Sequence, residues 1–257
     1  MLSRRFMIAG LAVSLSGCAS FDPDWLGIGY DASDVDRRNY AALKGERFPI
    51  PAAELGKLDP KYRRQQVKYA TSEPKGTIVV DTAQRFLYLV GDNGRATRYG
   101  IEVGREGFGW SGAATIARKA EWPTWTPPAE MVARDPRTAP FARGMPGGPE
   151  NPLGSRALYL YQGGRDTLYR IHGGGRPSTL GKATSSGCIR LLDHDVVDLY
   201  ARVPAGTRTV VLADPRLASR TGSSQTDDAL IGDAPAGGGT QAVAGLTGPA
   251  VRSGIAR

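Results

Sequence analysis

Between residues 76 and 214, the chain alternates short apolar runs with glycine-rich turns. The segments "TIVVD", "RFLYLV" and "RATRYGIEVG" are rich in β-branched and aromatic residues, and an Asn-Gly pair in "GDNG" separates the last two. Downstream, "RALYLY" and "TLYRIHG" flank the turn "QGGRD", and "GTRTVVLAD" closes the series. Such runs bounded by turn residues predict a succession of strands and hairpins.

One segment of this region has the period of a helix. In "LDHDVVDLYARV", the side chains of Val196, Val197, Tyr200 and Val203 fall on one face, and Asp193 is placed to cap the first turn. Many short strands with a single late helix predict a mainly β fold, a sandwich or barrel-like sheet with a helix packed against it.

The stretch from Gly104 to Gly154 has no clear period and is rich in glycine, proline and tryptophan. It is too long for a routine connection, and loops of this length are often lids or binding loops. We therefore predict a lid or cleft rim here. The alternative is that Trp110, Trp122 and Trp125 fill a small core of their own.

The N-terminus differs from this folded region. Residues 1–18 combine a basic pair, a ten-residue apolar stretch and "LSGC", which resembles a bacterial lipoprotein signal peptide ending at Cys18. The apolar stretch is too short to span a membrane. Acyl chains on Cys18 would anchor the protein, and Ala19 after it implies the outer membrane. A plain signal peptide is the alternative, and "SRRF" leaves twin-arginine export open.

Two further segments flank the predicted domain of residues 76–214. Residues 19–75 are punctuated by proline, with one short helix expected around Pro60 to Val67, and are predicted to be a tether and lead-in that packs on the domain. Residues 215–257 are rich in Gly, Ala, Ser and Thr without any period. They are predicted to be a disordered tail, because they offer too little apolar surface to offset the entropy of ordering.

The balance of charges adds a constraint on partners. The sequence has 33 Lys and Arg against 25 Asp and Glu, a net charge of +8. A basic surface suits nucleic acid, an anionic membrane or an anionic wall polymer. Because no stretch interleaves aromatic residues with dense Lys and Arg, the sequence argues against nucleic-acid binding.

The chain has two cysteines and two histidines, which limits the chemistry open to Cys188. If Cys18 is lipidated, Cys188 lacks an intrachain disulfide partner. The remaining Cys and His residues are too few for a usual structural zinc site, and no CxxC pair supports redox chemistry. A structural thiol and a nucleophile are left, and the preceding "SSG" is a poor core sequence.

A nucleophilic Cys188 needs a base, which His172 or His194 would supply. His172 ends a predicted strand before "GGG", where a side chain can project into a cleft. His194 stands at the start of the predicted helix between two aspartates, where solvent exposure is the simpler expectation. Backbone N–H groups around Gly187 and Cys188 would form an oxyanion hole, and Arg190 would bind a carboxylate or brace the loop.

These residues resemble the catalytic region of the L,D-transpeptidases of the YkuD type. The family's motif is a His-Gly pair followed, after a gap, by Ser/Thr-x-Gly-Cys, an apolar residue and Arg. Here fifteen residues separate His172 from Cys188, and "SSGCIR" matches the second half. The likeness extends from about Gly76 to Ala213 and includes "GTIVVD", "NPLG" and "VPAGT".

The resemblance implies that Cys188 is the nucleophile, that His172 is the base, and that the carbonyl of Gly173 orients the imidazole. The loop that forms the oxyanion hole and contacts substrate would comprise Ser185, Ser186, Gly187 and Arg190. Many members have His where this chain has Ser186, which would change hydrogen bonding in the loop, and "GGG" replaces a more polar run. No metal or nucleotide cofactor is implied.

The implied function is that of a lipid-anchored periplasmic enzyme acting on peptidoglycan stem peptides. Cys188 would take the acyl group of a tetrapeptide at its diaminopimelate, release D-alanine and pass the acyl group to an amine. A second diaminopimelate gives a 3→3 crosslink, an envelope-protein amine gives protein attachment, and water gives an L,D-carboxypeptidase. The alternative of another class is a non-catalytic lipoprotein that tethers the outer membrane to peptidoglycan.

Overall fold

The computed structural model describes residues 32–104, 110–185 and 187–214. Within these ranges the strands are β1 Gln65–Lys68, β2 Ile78–Asp81, β3 Phe86–Val90, β4 Arg95–Gly100, β5 Val103–Gly104, β6 Gly112–Glu121, β7 Arg156–Gln162, β8 Arg165–His172, β9 Ala183–Ser185, β10 Ile189–Arg190 and β11 Arg208–Val211. The α-helices are α1 Asp34–Asn39, α2 Ala129–Arg134 and α3 Asp193–Arg202. Short 3-10 helices span Leu55–Lys57, Pro60–Tyr62 and Pro136–Phe141.

Nine of these strands form one mixed sheet, in the order β1-β4-β3-β2-β11-β6-β7-β8-β10. Strand β11 joins the two halves, because it pairs in parallel with β2 and antiparallel with β6. The last pair, β8 with β10, is also parallel. A second sheet consists of β5 and β9. The prediction of a mainly β fold with a late helix is confirmed.

The two predicted hairpin turns are present, and their backbone geometry explains the residues found there. Asn93 and Gly94 have φ angles of 54° and 65°, and Gly163 and Gly164 have φ angles of 56° and 78°. Two successive positive φ angles characterise the tight turn that matches the twist of paired strands. Asn and Gly adopt this left-handed conformation at little cost, so both turns fix the register of their strands.

The segment between Gly104 and Gly154 is more regular than predicted. Its longest element is β6, a ten-residue strand whose buried side chains include Ala114 and Ile116. The prediction of an extended loop was therefore wrong for this stretch. Alanine, arginine and lysine are weak strand formers, so the pattern of β6 carried little signal, and burial between β11 and β7 decides its structure.

The three tryptophans of this segment lie in different environments. Trp122 is buried, and its indole N–H donates to Glu46 at 3.2 Å. Trp110 packs at the margin of the main core and stacks on Tyr169. Trp125 is half-buried, and its backbone pairs with Met145. A small-core function is therefore clearest for Trp122, and the lid function stays a prediction.

Helix α3 covers one face of the sheet and completes the main core. Its buried residues include Val196 and Leu199, which join the cluster containing Ile171 and Ile189. The predicted apolar face was partly wrong, because Val197 and Tyr200 are half-exposed. Leu199 takes their place because it lies three positions after Val196, on the same side of the helix.

The predicted N-cap of this helix was also wrong. Leu192 is the N-cap residue and provides no side-chain cap. The carboxylate of Asp193 instead accepts hydrogen bonds from the backbone N–H and the hydroxyl of Ser155, each at 2.7 Å. Asp193 therefore links the start of α3 to the start of β7.

The lead-in segment packs on the domain through its own cluster. The buried side chains of Tyr40 and Leu58 contact Leu180 and Leu192 of the domain. The helix expected around Pro60 to Val67 was wrong: a 3-10 helix covers Pro60–Tyr62, and β1 begins at Gln65 and pairs with β4. Strand pairing supplies backbone hydrogen bonds that an isolated short helix could not match.

Several predicted features lie outside the described residues, namely the signal peptide with Cys18, the tail of residues 215–257, and Ser186. Of the helices in the described ranges, each is too short or too polar to cross a membrane.

Candidate active site

The two halves of the sequence motif meet on neighbouring strands. Strand β8 ends at His172, and Cys188 directly precedes β10. The parallel pairing of these strands sets Ile189 beside Ile171 and Arg190 beside His172. The Cys188 thiol also receives a hydrogen bond from the backbone of Arg170. The fold therefore brings Cys188 to the strand that carries His172.

Alternation along the strands decides which side chains share the face of the sheet that carries His172. Ile171 and Ile189 point into the core with α3, so their sequence neighbours point to the opposite face. One row on that face runs Ala120, Ala157, His172 and Arg190 across four paired strands. The adjacent row runs Arg118, Tyr159 and Arg170, and ends beside Cys188.

His172 is held as a buried, neutral imidazole. Its side chain is 3% exposed, and its Nδ1 lies 2.7 Å from the carbonyl oxygen of Gly173. Burial lowers the pKa of His172 to about 3, and the charge of Arg190 adds to this, although backbone carbonyls of Gly173 and Leu153 favour the protonated form. The Gly173 contact fixes the ring orientation and leaves Nε2 as the nitrogen that can accept a proton.

Cys188 is half-buried and forms no disulfide within the described residues. Burial raises the pKa of its thiol above the ordinary value, and the backbone of Arg170 with the charges of Arg170 and Arg190 offsets this in part. A raised thiol pKa and a lowered imidazole pKa both favour the neutral pair at pH 7. The Cys188 thiol is therefore protonated at rest.

The "GGG" run after His172 is required by close packing. A Cβ on Gly173 would meet the Asp193 carboxylate, and one on Gly175 would lie 2.6 Å from the carbonyl oxygen of Leu191. Gly174 has a φ of 75°. These glycines let the chain leave β8 directly against the start of α3, which fixes the carbonyl of Gly173 beside the imidazole.

Arg190 is tied to a residue that the sequence analysis did not single out. Its Nη1 donates to Glu102 Oε1 at 2.8 Å, and the Thr179 hydroxyl donates to Glu102 Oε2 at 2.7 Å. Glu102 is 2% exposed. The carboxylate that Arg190 binds is therefore internal. A charged residue inside the apolar run "GIEVG" was the signal that could have identified it.

Glu102 also braces the chain on both sides of Cys188. Its backbone N–H and C=O exchange hydrogen bonds of 2.9 Å with Arg190. The next residues, β5 Val103–Gly104, pair with β9 Ala183–Ser185, which precedes Cys188. One short segment therefore holds the turn that contains Cys188 at its two ends.

The structure describes two of the three remaining predicted loop residues, Ser185 and Gly187. Ser185 ends β9, and Ser186 lies outside the described residues. Gly187 has a φ of 128°, and a Cβ placed there would meet no atom of the described residues within 4 Å. Glycine is suited to this φ, and the open space beside it leaves room for a substrate backbone.

The contacts of His194 lie in the lead-in segment and not at Cys188 and His172. The prediction that His194 is exposed to solvent was wrong. The side chain is 5% exposed, and Nε2 lies 3.1 Å from the carbonyl oxygen of Ala41. Its ring also meets the edge of Tyr40. The lead-in segment covers this part of α3, so His194 serves the packing of that segment.

In the described ranges, no group of three or more His, Cys, Asp or Glu residues is arranged to hold an ion.

A family model describing the L,D-transpeptidase catalytic domain, YkuD, matches residues 75–211, and this match includes both strands that carry the motif. The chain belongs to the L,D-transpeptidase family. The resemblance inferred from "IHGGG" and "SSGCIR" is thereby confirmed.

Two curated relatives in this family come from Escherichia coli K12. The probable L,D-transpeptidase ErfK/SrfK is 34% identical over 159 residues, covering 59% of this chain and 48% of the relative. The probable L,D-transpeptidase YbiS is 33% identical over 157 residues, covering 59% of this chain and 49% of that relative. The chain thus spans about half the length of the curated relatives it matches.

One solved structure has a higher identity but a different name. It is a Brucella melitensis protein, named as a probable carnitine operon oxidoreductase, with 54% sequence identity. The alignment covers 60% of this chain and 96% of that chain, with a TM-score of 0.42.

Because His172 is buried, we expect its imidazole not to titrate near neutral pH. Because the pKa of His172 is about 3, its imidazole stays neutral between about pH 5 and 8, and its NMR signals should not move in that range. The unfolded chain binds the proton near pH 6.5, so the contribution of this group to the free energy of unfolding decreases as the pH falls from there toward 3. The variant His194→Gln leaves one histidine and assigns the signals. A His172 midpoint near 6.5 would contradict the buried neutral state.

We expect the Glu102–Arg190 ion pair to influence the pKa of the Cys188 thiol. Glu102→Gln keeps the shape of the side chain but leaves the charge of Arg190 uncompensated near Cys188. The pKa of the thiol should then fall by about one unit, measured from the pH dependence of Cys188 alkylation by iodoacetamide.

Glu46→Gln is the matched control for this experiment, because Glu46 forms a similarly buried pair with Arg156, at 2.7 Å. Each substitution removes the carboxylate that lies closest to a buried or half-buried arginine, but only Glu102 lies beside the thiol, and Arg156 keeps a longer contact of 3.9 Å to Glu121. Equal alkylation profiles for the two variants would show that Glu102 has no special influence on Cys188.

Proposed function

We propose that this chain is a peptidoglycan L,D-transpeptidase with Cys188 as nucleophile and His172 as general base. The observation that carries the proposal is the parallel pairing of β8 with β10, which sets a desolvated thiol beside the strand that ends in a buried imidazole. Both lie in the segment that matches the family's catalytic domain.

The first step is acylation of Cys188. As the sulfur attacks the diaminopimelate carbonyl of a tetrapeptide stem, the thiol proton moves to Nε2 of His172. The Gly173 carbonyl, 2.7 Å from Nδ1, stabilises the imidazolium that forms. The C–N bond then breaks, the leaving D-alanine takes the proton from His172, and a thioester remains on Cys188.

The oxyanion of this step needs donors beside the sulfur. Backbone N–H groups around Gly187 and Cys188 are the candidates, because no described residue occupies the space next to Gly187, and the pairing of β9 with β5 holds the chain that precedes it. Arg190 contributes as a fixed charge near the site, since its guanidinium is already bound to Glu102.

The second step transfers the acyl group to an amine. The acceptor amine loses a proton to His172 and attacks the thioester, which restores the Cys188 thiol. A diaminopimelate acceptor gives a 3→3 crosslink. An envelope-protein amine or water in the same position gives protein attachment or an L,D-carboxypeptidase, and mass spectrometry of muropeptides distinguishes these products.

The location that fits this substrate is the periplasm, with the protein anchored by acyl chains on Cys18 in the outer membrane. The "LSGC" sequence and Ala19 support this location. Cells fed a labelled fatty acid should incorporate label into the wild-type protein and not into Cys18→Ser. Equal labelling of both, or of neither, would contradict lipid anchoring at this cysteine.

The acylation step is tested by D-alanine release. Purified protein incubated with a disaccharide-tetrapeptide should release D-alanine, and Cys188→Ala should release none. Loss of the base in His172→Gln should slow release by about a hundredfold to ten-thousandfold. His194→Gln is the matched histidine control and should keep its activity. No release by the wild-type protein would favour the non-catalytic tethering lipoprotein.

A further inference from the structure

The row of side chains that ends beside Cys188 continues away from it across the sheet. Arg170 pairs in register with Tyr159 on β7, and Tyr159 pairs with Arg118 on β6. The two guanidinium carbons lie 4.5 Å and 4.2 Å from the centre of the Tyr159 ring. Two cations therefore share one aromatic ring, an arrangement that limits the freedom of both side chains.

The two arginines differ in what else they bind. Arg170 donates to both carboxylate oxygens of Asp166, at 2.7 and 2.8 Å, and to the carbonyl of Tyr169. Arg118 is exposed. Among the described residues it forms no ion pair and donates no hydrogen bond, so its stack on Tyr159 is the contact that positions it.

The charges along this row leave a net positive site. Asp166 compensates one of the two arginines, and Arg118 lies near enough to act on that carboxylate as well. An excess positive charge therefore stays at the Arg118 end. The Arg118 guanidinium lies over the ring of Tyr159 on β7, which is two strands from β10. Strands lie about 4.8 Å apart and an extended peptide covers about 3.4 Å per residue, so this distance of about 10 Å is the length of about three residues of a stem peptide.

We propose that Arg118, stacked on Tyr159, is a carboxylate-binding subsite that holds the stem peptide while its carbonyl lies at Cys188. Arginine suits this function because its planar fork matches a carboxylate through two parallel N–H···O bonds. The inference rests on the proposed function, since it names a group of the same substrate. A stem tetrapeptide offers three carboxylates, on D-glutamate, on the side arm of diaminopimelate and on the terminal D-alanine.

The test measures binding separately from turnover. In the full chain carrying Cys188→Ala, the dissociation constant of the tetrapeptide is measured by calorimetry with and without Arg118→Gln. The substitution should weaken binding roughly tenfold, the size expected for a charge-assisted hydrogen bond. Arg118→Lys keeps the charge but loses the planar fork. Its dissociation constant for the tetrapeptide should lie between those measured with Arg118 and with Arg118→Gln.

Three tetrapeptides, each with one carboxylate converted to an amide, then identify the group bound. The penalty of Arg118→Gln should vanish for one of them and persist for the other two. Arg95→Gln is the matched control, because it removes the same charge from an exposed position on β4. The dissociation constant of the tetrapeptide should be the same for this variant as for the protein carrying Cys188→Ala alone.

Several outcomes would overturn the inference. These are unchanged binding in Arg118→Gln, equal weakening in Arg95→Gln, and a penalty that persists for all three amides. If D-alanine release fails in the wild-type protein but the Arg118 penalty persists, the proposed activity is wrong and the subsite stands. If release occurs without an Arg118 penalty, the activity stands and the subsite is wrong. If the tetrapeptide neither binds nor reacts, both are wrong.

Discussion

The parallel pairing of β8 with β10 is the constraint on which the site depends. Fifteen residues lie between His172 and Cys188, and the pairing returns the chain so that Arg190 stands beside His172. Strand β10 has two residues, too few to hold a register by itself. The backbone bridge from Glu102 and the pairing of β5 with β9 supply the missing hydrogen bonds on either side of Cys188.

The electrostatics of the site follow from this packing. The same burial that lowers the pKa of His172 raises that of Cys188, so neither group is charged at neutral pH. A neutral pair is the less costly state in a desolvated site, because an isolated buried charge loses its hydration. Arg190 shifts the balance toward thiolate, and Glu102 keeps that arginine in place. In the proposed mechanism, the proton therefore moves from Cys188 to His172 only when the sulfur attacks a substrate.

Much of this could be predicted from the sequence, since the information was local. Runs such as "RALYLY" and turns such as "GDNG" carry their own geometry, and "SSGCIR" after "IHGGG" identified the family. Three features depended on tertiary context. Strand β6 is built from weak strand formers and is fixed by its neighbours. Asp193 binds Ser155 across the fold instead of capping its own helix. Glu102 gains its importance from Arg190, a partner 88 positions away.

Intact-protein mass spectrometry shows whether Cys188 carries the acyl group. Protein mixed with tetrapeptide and quenched in acid, which preserves thioesters, should gain the mass of the stem peptide minus D-alanine. Digestion should place that mass on the peptide containing Cys188, and neutral hydroxylamine should remove it. Turnover without any adduct on Cys188, or an adduct on another residue, would contradict the account.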